Sequence, residues 1–155
     1  MTDHPVKALY FDTSYLYRIY SVEPGHHAVK ALLMETAEVV SAWHARAEFA
    51  SILLRKRREG KDTPAFLDSL SAQFRQDQRD GLLRFLPLSE PVMLRLETTF
   101  SHAPKNTFLR AADALHLACA AENGFAKVYS NDRHFLAAAP LFGLNAINVI
   151  SPDSP

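Results

Sequence analysis

Five short apolar runs recur along the chain with helix-like segments between them, and this alternation limits the fold more than any other feature. The runs occupy residues 7–12 (KALYFD), 39–42 (VVSA), 82–88 (LLRFLPL), 126–129 (AKVY) and 146–150 (AINVI), and each reads as a strand. Residues 13–20 predict a short helix capped by Asp12 or Thr13. Glu23-Pro24-Gly25 makes a turn, and Ala28, Leu32 and Leu33 give 26–36 helical spacing. A helix over about 45–59 carries Phe49, Ile52 and Leu53 and ends at Gly60. Thr63-Pro64 opens the next helix, with a stripe of Phe66, Leu67, Leu70 and Phe74. Residues 89–102 form a helix capped by Ser89, an alanine-rich helix contains Asp113, and a short one covers 132 to about 138. Strands that alternate with helices in this way pair in parallel and are covered on both faces. The expectation is an α/β chain, a three-layer α/β/α domain around a short, mainly parallel sheet of four or five strands.

A chain of 155 residues with 48% apolar and 22% charged residues can bury a core without disulfides, so one domain is expected over 1–150, with 151–155 as a loose tail. The single cysteine, Cys119, excludes an intrachain disulfide and points to a reducing, cytoplasmic setting. No apolar run approaches the roughly 18 residues of a membrane span. The start, MTDHPVKALYFD, lacks the charged lead and long apolar centre of a signal peptide. Seventeen basic and 17 acidic residues cancel, which argues against generic coating of duplex nucleic acid but not against a nuclease with local basic patches.

Four acids stand where the alternating pattern gives them a common address. Asp12 ends the first strand, and Asp132 comes three residues after Tyr129, at the end of another. Glu48 and Asp113 fall in early turns of helices, Glu48 directly after the strand at 39–42. Ligands bind open parallel sheets at the carboxyl ends of the strands, and helices that follow strands begin at that same edge. Each acid alone has another explanation. Asp12 and Asp132 suit helix caps, Glu48 could pair with Arg55 or Lys56, and Asp113 with Arg110. Together they map to one edge of one sheet. Carboxylates gathered there repel unless a cation lies among them, and oxygen ligands select hard ions such as Mg²⁺ or Mn²⁺. The chain has no cysteine pair and no HExxH motif, which argues against zinc; His116 and His134 read as core or rim histidines.

The segments LYFDTSYLYRIY, VVSAWHARAEFASILLR, LRAADALHLACAAENG and AKVYSNDRHFL, in this order and spacing, resemble the PIN-domain family. The likeness is nearest to the VapC-type toxin ribonucleases of VapBC toxin–antitoxin pairs and extends over about residues 7–150. It implies an acidic catalytic and metal site at Asp12, Glu48, Asp113 and Asp132, supported by Thr13 and Ser14 after the first acid and by Ser130 before the last. It further implies a Mg²⁺- or Mn²⁺-dependent endoribonuclease leaving a 5′-phosphate and a 3′-hydroxyl, a cognate antitoxin and a homodimer. Trp43-His44 depart from the smaller or hydroxyl residues that similar proteins carry there, and Trp43 is expected to pack.

Candidate RNA contacts are the run Arg55, Lys56, Arg57 and Arg58, together with Arg133. Residues 53–74 are a candidate antitoxin surface, with ordinary core as the alternative. Other readings remain open: a PIN-like nuclease in RNA processing without an antitoxin, or a non-catalytic binding module. A haloacid-dehalogenase-like phosphatase ranks last, because Thr13-Ser14 follow Asp12 where a second Asp would be required.

Overall fold

The computed structural model describes residues 7–153. The reading of the N-terminal stretch therefore falls partly outside it, on residues 1–6, as does that of the tail at 154–155. Among the described residues five strands form, β1 (Ala8–Tyr10), β2 (Glu38–Ala42), β3 (Leu83–Leu86), β4 (Lys127–Tyr129) and β5 (Asn145–Ile147). β1, β3, β4 and β5 are shorter than their apolar runs, because apolar residues continue beyond the ladder, whereas β2 begins one residue before its run. β1 pairs in parallel with β2, β2 with β3, and β4 with β5. A parallel bridge between Phe11 and Tyr129 and a hydrogen bond from the Asp12 amide to the Tyr129 carbonyl (3.0 Å) join the two parts. The order across the molecule is thus β3-β2-β1-β4-β5. The chain leaves β1 towards β2 on one side and later returns to β4 on the other, so the crevice between β1 and β4 is the topological switch point of the sheet.

Among the described residues, seven helices cover the sheet: α1 (Thr13–Tyr20), α2 (His26–Leu32), α3 (Ala45–Glu59), α4 (Pro64–Arg79), α5 (Glu90–His102), α6 (Ala111–Glu122) and α7 (Arg133–Ala138). Side chains alternate along the strands and divide the core in two. Leu9, Phe11, Val39 and Tyr129 pack with Leu16, Phe49, Leu67 and Phe74 of α1, α3 and α4. Tyr10, Val40, Ala42 and Val128 pack with Val92, Leu117 and Phe135 of α5, α6 and α7. This is the expected three-layer arrangement. Leu67, Leu70 and Phe74 are buried, and Phe74 stacks on Phe49 with centroids 3.9 Å apart, so most of the α4 stripe is core. Within residues 53–74 the exposed large apolar side chains are Phe66, on the flank of α4, and Leu54 of α3.

The chain end closes on the turn before α2. Gly25 has φ +89°, and a Cβ there would stand 2.5 Å from Ile150 Cγ2. Gly25→Ala therefore combines a left-handed backbone penalty with a steric clash. The expected loss is about 2 kcal/mol of stability, read as a lower urea midpoint at unchanged slope.

Candidate active site

Asp12 lies immediately after β1 and is the N-cap of α1, its Oδ1 accepting from the Tyr15 amide at 3.0 Å. It is buried, and burial holds its carboxyl above the ordinary aspartate range despite hydrogen bonds from Ser130 and Ser14. The Ser14 hydroxyl is within hydrogen-bond distance of Asp12 Oδ1 (2.7 Å) and Asn131 Oδ1 (2.8 Å). Asp132 follows β4 and caps α7, accepting from the His134 and Phe135 amides at 2.9 Å each. The Ser130 hydroxyl accepts from the Asp132 amide at 3.0 Å within the turn after β4, and the Ser14–Asn131 bond links that turn to the one after β1.

Glu48 and Asp113 sit in the first turns of α3 and α6. All four acids line one cleft of about 660 Å³, together with Thr13, Ser14, Arg55, Arg110 and His116. Asp113 has no cation within ion-pair distance among the described residues; the Arg110 pairing does not form. Burial, then the charges of Asp132 and Asp12, push its carboxyl up to about 6.

Glu48 is held differently. Its Oε1 accepts from the Thr13 hydroxyl (2.8 Å) and from His116 Nε2 (2.9 Å). Burial alone would raise its pKa; the hydrogen bonds from His116 and Thr13 outweigh burial and hold it below the usual glutamate value. An ionised carboxylate only accepts, so His116 carries its proton on Nε2. Tyr10, whose hydroxyl is fully buried and holds its proton far above the ordinary tyrosine range, then donates to His116 Nδ1 at 2.8 Å. No hydrogen bond engages Glu48 Oε2 among the described residues, so that oxygen is left for the cleft.

His44 lies one helical turn before Glu48. Its Nε2 donates to the Ala112 carbonyl at 2.8 Å and is 3.5 Å from Glu48 Oε1. Burial, followed by the neighbouring His116, lowers its pKa to about 4, and its Nδ1 is buried without a partner. The ligand atoms of His44, Glu48 and His116 lie within 4.8 Å of one another. Both Nε2 atoms are nonetheless committed as N–H donors, so the trio acts as a buttress for Glu48. The cleft's oxygen donors, by contrast, include a carboxyl that its neighbours' negative charge disfavours ionising, and this set fits a hard divalent cation.

The basic run is spread around α3. Successive residues point about 100° apart around a helix, and the four diverge accordingly. Lys56 pairs with Glu23, Arg57 with Asp68 and Arg55 with Glu59, and of the run only Arg55 lines the cleft. Arg58 and Arg133 are exposed outside it. Trp43, expected to pack, is 54% exposed, with the Arg46 guanidinium 4.5 Å from its ring centroid. It stands in the turn between the end of β2 and the start of α3. Sequence reasoning did not assign the buttress of Tyr10, His44 and His116, nor the cleft cation Arg110. The helical spacings His44–Glu48 and Asp113–His116 carried part of the signal.

The fold and its acidic cleft define a class. The PIN domain family model matches residues 9–140, and the chain belongs to that family. No curated protein sequence matches it. Among solved structures, it resembles a chain of FitAcB from Neisseria gonorrhoeae at TM-score 0.70 and 18% identity, covering 91% of this chain and 97% of that one. VapC20 of Mycobacterium tuberculosis, a toxin that cleaves the sarcin–ricin loop, matches at TM-score 0.62 and 17% identity, covering 95% and 99%. VapBC2 of Rickettsia felis, bound to a DNA fragment from its promoter, matches at 0.64 and 12%, covering 92% and 98%.

Proposed function

We propose that this protein is the toxin ribonuclease of a toxin–antitoxin pair, an endoribonuclease that hydrolyses RNA phosphodiester bonds with Mg²⁺ or Mn²⁺. The observation that carries the reading is the meeting of Asp12, Glu48, Asp113 and Asp132 in one cleft at the switch point of a PIN-family sheet. Asp12, Asp113 and Asp132 would hold the cation, with Glu48 as a further ligand or as the group that orients water. When bound, such an ion lowers the pKa of a coordinated water and stabilises charge on the phosphate.

The chain's own groups prepare this chemistry. Ser14 and Ser130 fix the Asp12 carboxylate, and the turn after β4 fixes Asp132. Thr13 and His116 anchor one oxygen of Glu48 and leave the other to accept a proton or hold a water. Arg55 and Arg110, which line the cleft, offer cations to the RNA backbone. The antitoxin partner is supported by likeness to VapBC and FitAB assemblies. The homodimer and cytoplasmic location follow the family resemblance and the lone cysteine. No helix among the described residues is long and apolar enough to cross a membrane.

The test is cleavage of total RNA by the purified protein with Mg²⁺, with Mn²⁺ and with EDTA. Discrete cuts that require metal and leave 5′-phosphate ends are expected. A folded protein that binds Mn²⁺ yet cuts no RNA sinks the ribonuclease reading. One that neither binds Mn²⁺ nor gains stability from it supports a binding module.

A further inference from the structure

Beside the acidic cleft lies a second concavity lined by Phe108, Leu109, Arg110, Asp113, Asp132 and His134. It shares Arg110, Asp113 and Asp132 with the cleft, so the two are one continuous surface. Phe108 is 72% exposed, more than any other Phe, Tyr or Trp among the described residues, and its ring stands 5.8 Å from that of His134. A large apolar ring left in water beside a charged site calls for an occupant. Resting on the ribonuclease reading, we propose that Phe108 and His134 form a stacking subsite for the unpaired nucleobase adjoining the phosphate in the acidic cleft.

Three observations fix the occupant as a base of single-stranded RNA. The first is position. Phe108 lies two residues before Arg110, the N-cap of the helix that carries Asp113. His134 lies on the turn whose amide bonds hold Asp132, its own amide donating to that carboxylate at 2.9 Å. Both walls of the platform are therefore in register with acids of the cleft. The second is charge. Arg110 is exposed at the junction and has no carboxylate within ion-pair distance among the described residues, so it is free to meet a backbone phosphate between base and scissile bond. The third is chemistry. Phenylalanine has no polar handle to read a base edge, and a bare ring stacks on any base that is already out of a helix. The subsite thus selects single strands and loops over duplex, with weak sequence preference of its own.

The experiment measures binding apart from cleavage. A labelled single-stranded oligoribonucleotide and the same sequence in duplex are titrated onto Asp113→Asn protein, with and without Phe108→Ala. Phe108→Ala is expected to weaken single-strand binding about 5- to 100-fold and leave duplex binding unchanged. Phe108→Trp restores the affinity, and in a Trp43→Phe background the introduced indole is quenched by RNA. The exposure of Phe108 makes loss of folding by these variants a minor effect. Equal single-strand affinity for Phe108 and Phe108→Ala proteins, or no single-strand binding by either, overturns the subsite. So does a shift from dimer to monomer on Phe108→Ala with RNA affinity intact, which would make the ring a contact between copies of the chain. The outcomes also separate the two readings. Metal-dependent cutting that is indifferent to Phe108→Ala sinks the subsite and spares the nuclease. Phe108-dependent binding without cutting by the wild type does the reverse.

Discussion

Asp113→Asn should abolish RNA cleavage while leaving the metal-free protein at least as stable as the wild type. The variant keeps the shape of the side chain and removes one negative charge from the oxygen set. Loss of a charged ligand costs several kcal/mol of transition-state stabilisation, so cleavage should fall by about a thousandfold or more. Stability moves the other way because of where the carboxyl sits. Burial and the charges of Asp132 and Asp12 raise its pKa from 3.8 to about 6, so the metal-free fold resists its ionisation. For an acid raised on folding, the favourable contribution is complete below the unfolded value and is lost as pH rises through the folded one. Metal-free wild type should thus lose stability relative to the variant between about pH 4 and about pH 6. Buried Asp12, also raised, adds to the same trend in both proteins. Saturating Mn²⁺ should raise the wild-type melting temperature by mass action and barely move that of the variant. Calorimetry across this pH range in EDTA and in Mn²⁺ checks both. An Asn variant that melts below the wild type in EDTA at pH 7 would mean that Asp113 is structural and not a strained ligand.

The same acids mark how far the sequence alone could go. Asp12 and Asp132 were legible because each stands just after an apolar run, and a strand end in a parallel sheet fixes both place and direction. Glu48 followed from the short link between β2 and α3. Asp113 was the weakest placement, since α5 and a loop precede its helix, and the structure shows that the loop returns the chain to the same edge. What supports these acids was hidden because it depends on contacts distant in sequence. Tyr10 meets His116 across 106 residues and His116 meets Glu48 across 68. No periodicity encodes such pairings. A histidine among alanines looks like core, and His116 is core; only the fold shows that both of its nitrogens are engaged. The basic run shows a different limit. Four adjacent cations look like a patch in a line of text, yet helical geometry distributes them around α3, and nearby acids take up three of them. Arg110 was read as a partner for Asp113 by its spacing. It is instead the N-cap residue, extended with ψ 151° and standing before the first helical turn, and it forms no ion pair with Asp113.

His116→Ala carries the second large effect, and it should strike stability and turnover together. The imidazole is 1% exposed and joins the two halves of the core through Tyr10 and Glu48. Truncation leaves a cavity, strands the buried Tyr10 hydroxyl and removes a donor from Glu48. The expected loss is about 3 kcal/mol, or about 10 °C in melting temperature for a chain of this size. The catalytic consequence is separable from the fold. Glu48 keeps its charge but loses one of two bonds on Oε1, so its free oxygen no longer points steadily into the cleft. Turnover should fall more than RNA affinity, because the lost interaction orients a reacting group and does not touch the RNA backbone. His116→Gln, whose amide can still donate to Glu48, should recover part of kcat at a stability still below wild type. Tyr10→Phe tests the outer link. It leaves His116 Nδ1 without its donor, at a cost of about 1 kcal/mol, and frees the proton to occupy either nitrogen. Tyr10 and Glu48 do not touch, so a double-mutant cycle of Tyr10→Phe with Glu48→Gln should show coupling above about 0.5 kcal/mol only if the imidazole transmits it. Additive effects in that cycle, with equal loss of affinity and turnover in His116→Ala, would reduce the histidine to a packing residue and leave Glu48 to be held by Thr13 alone.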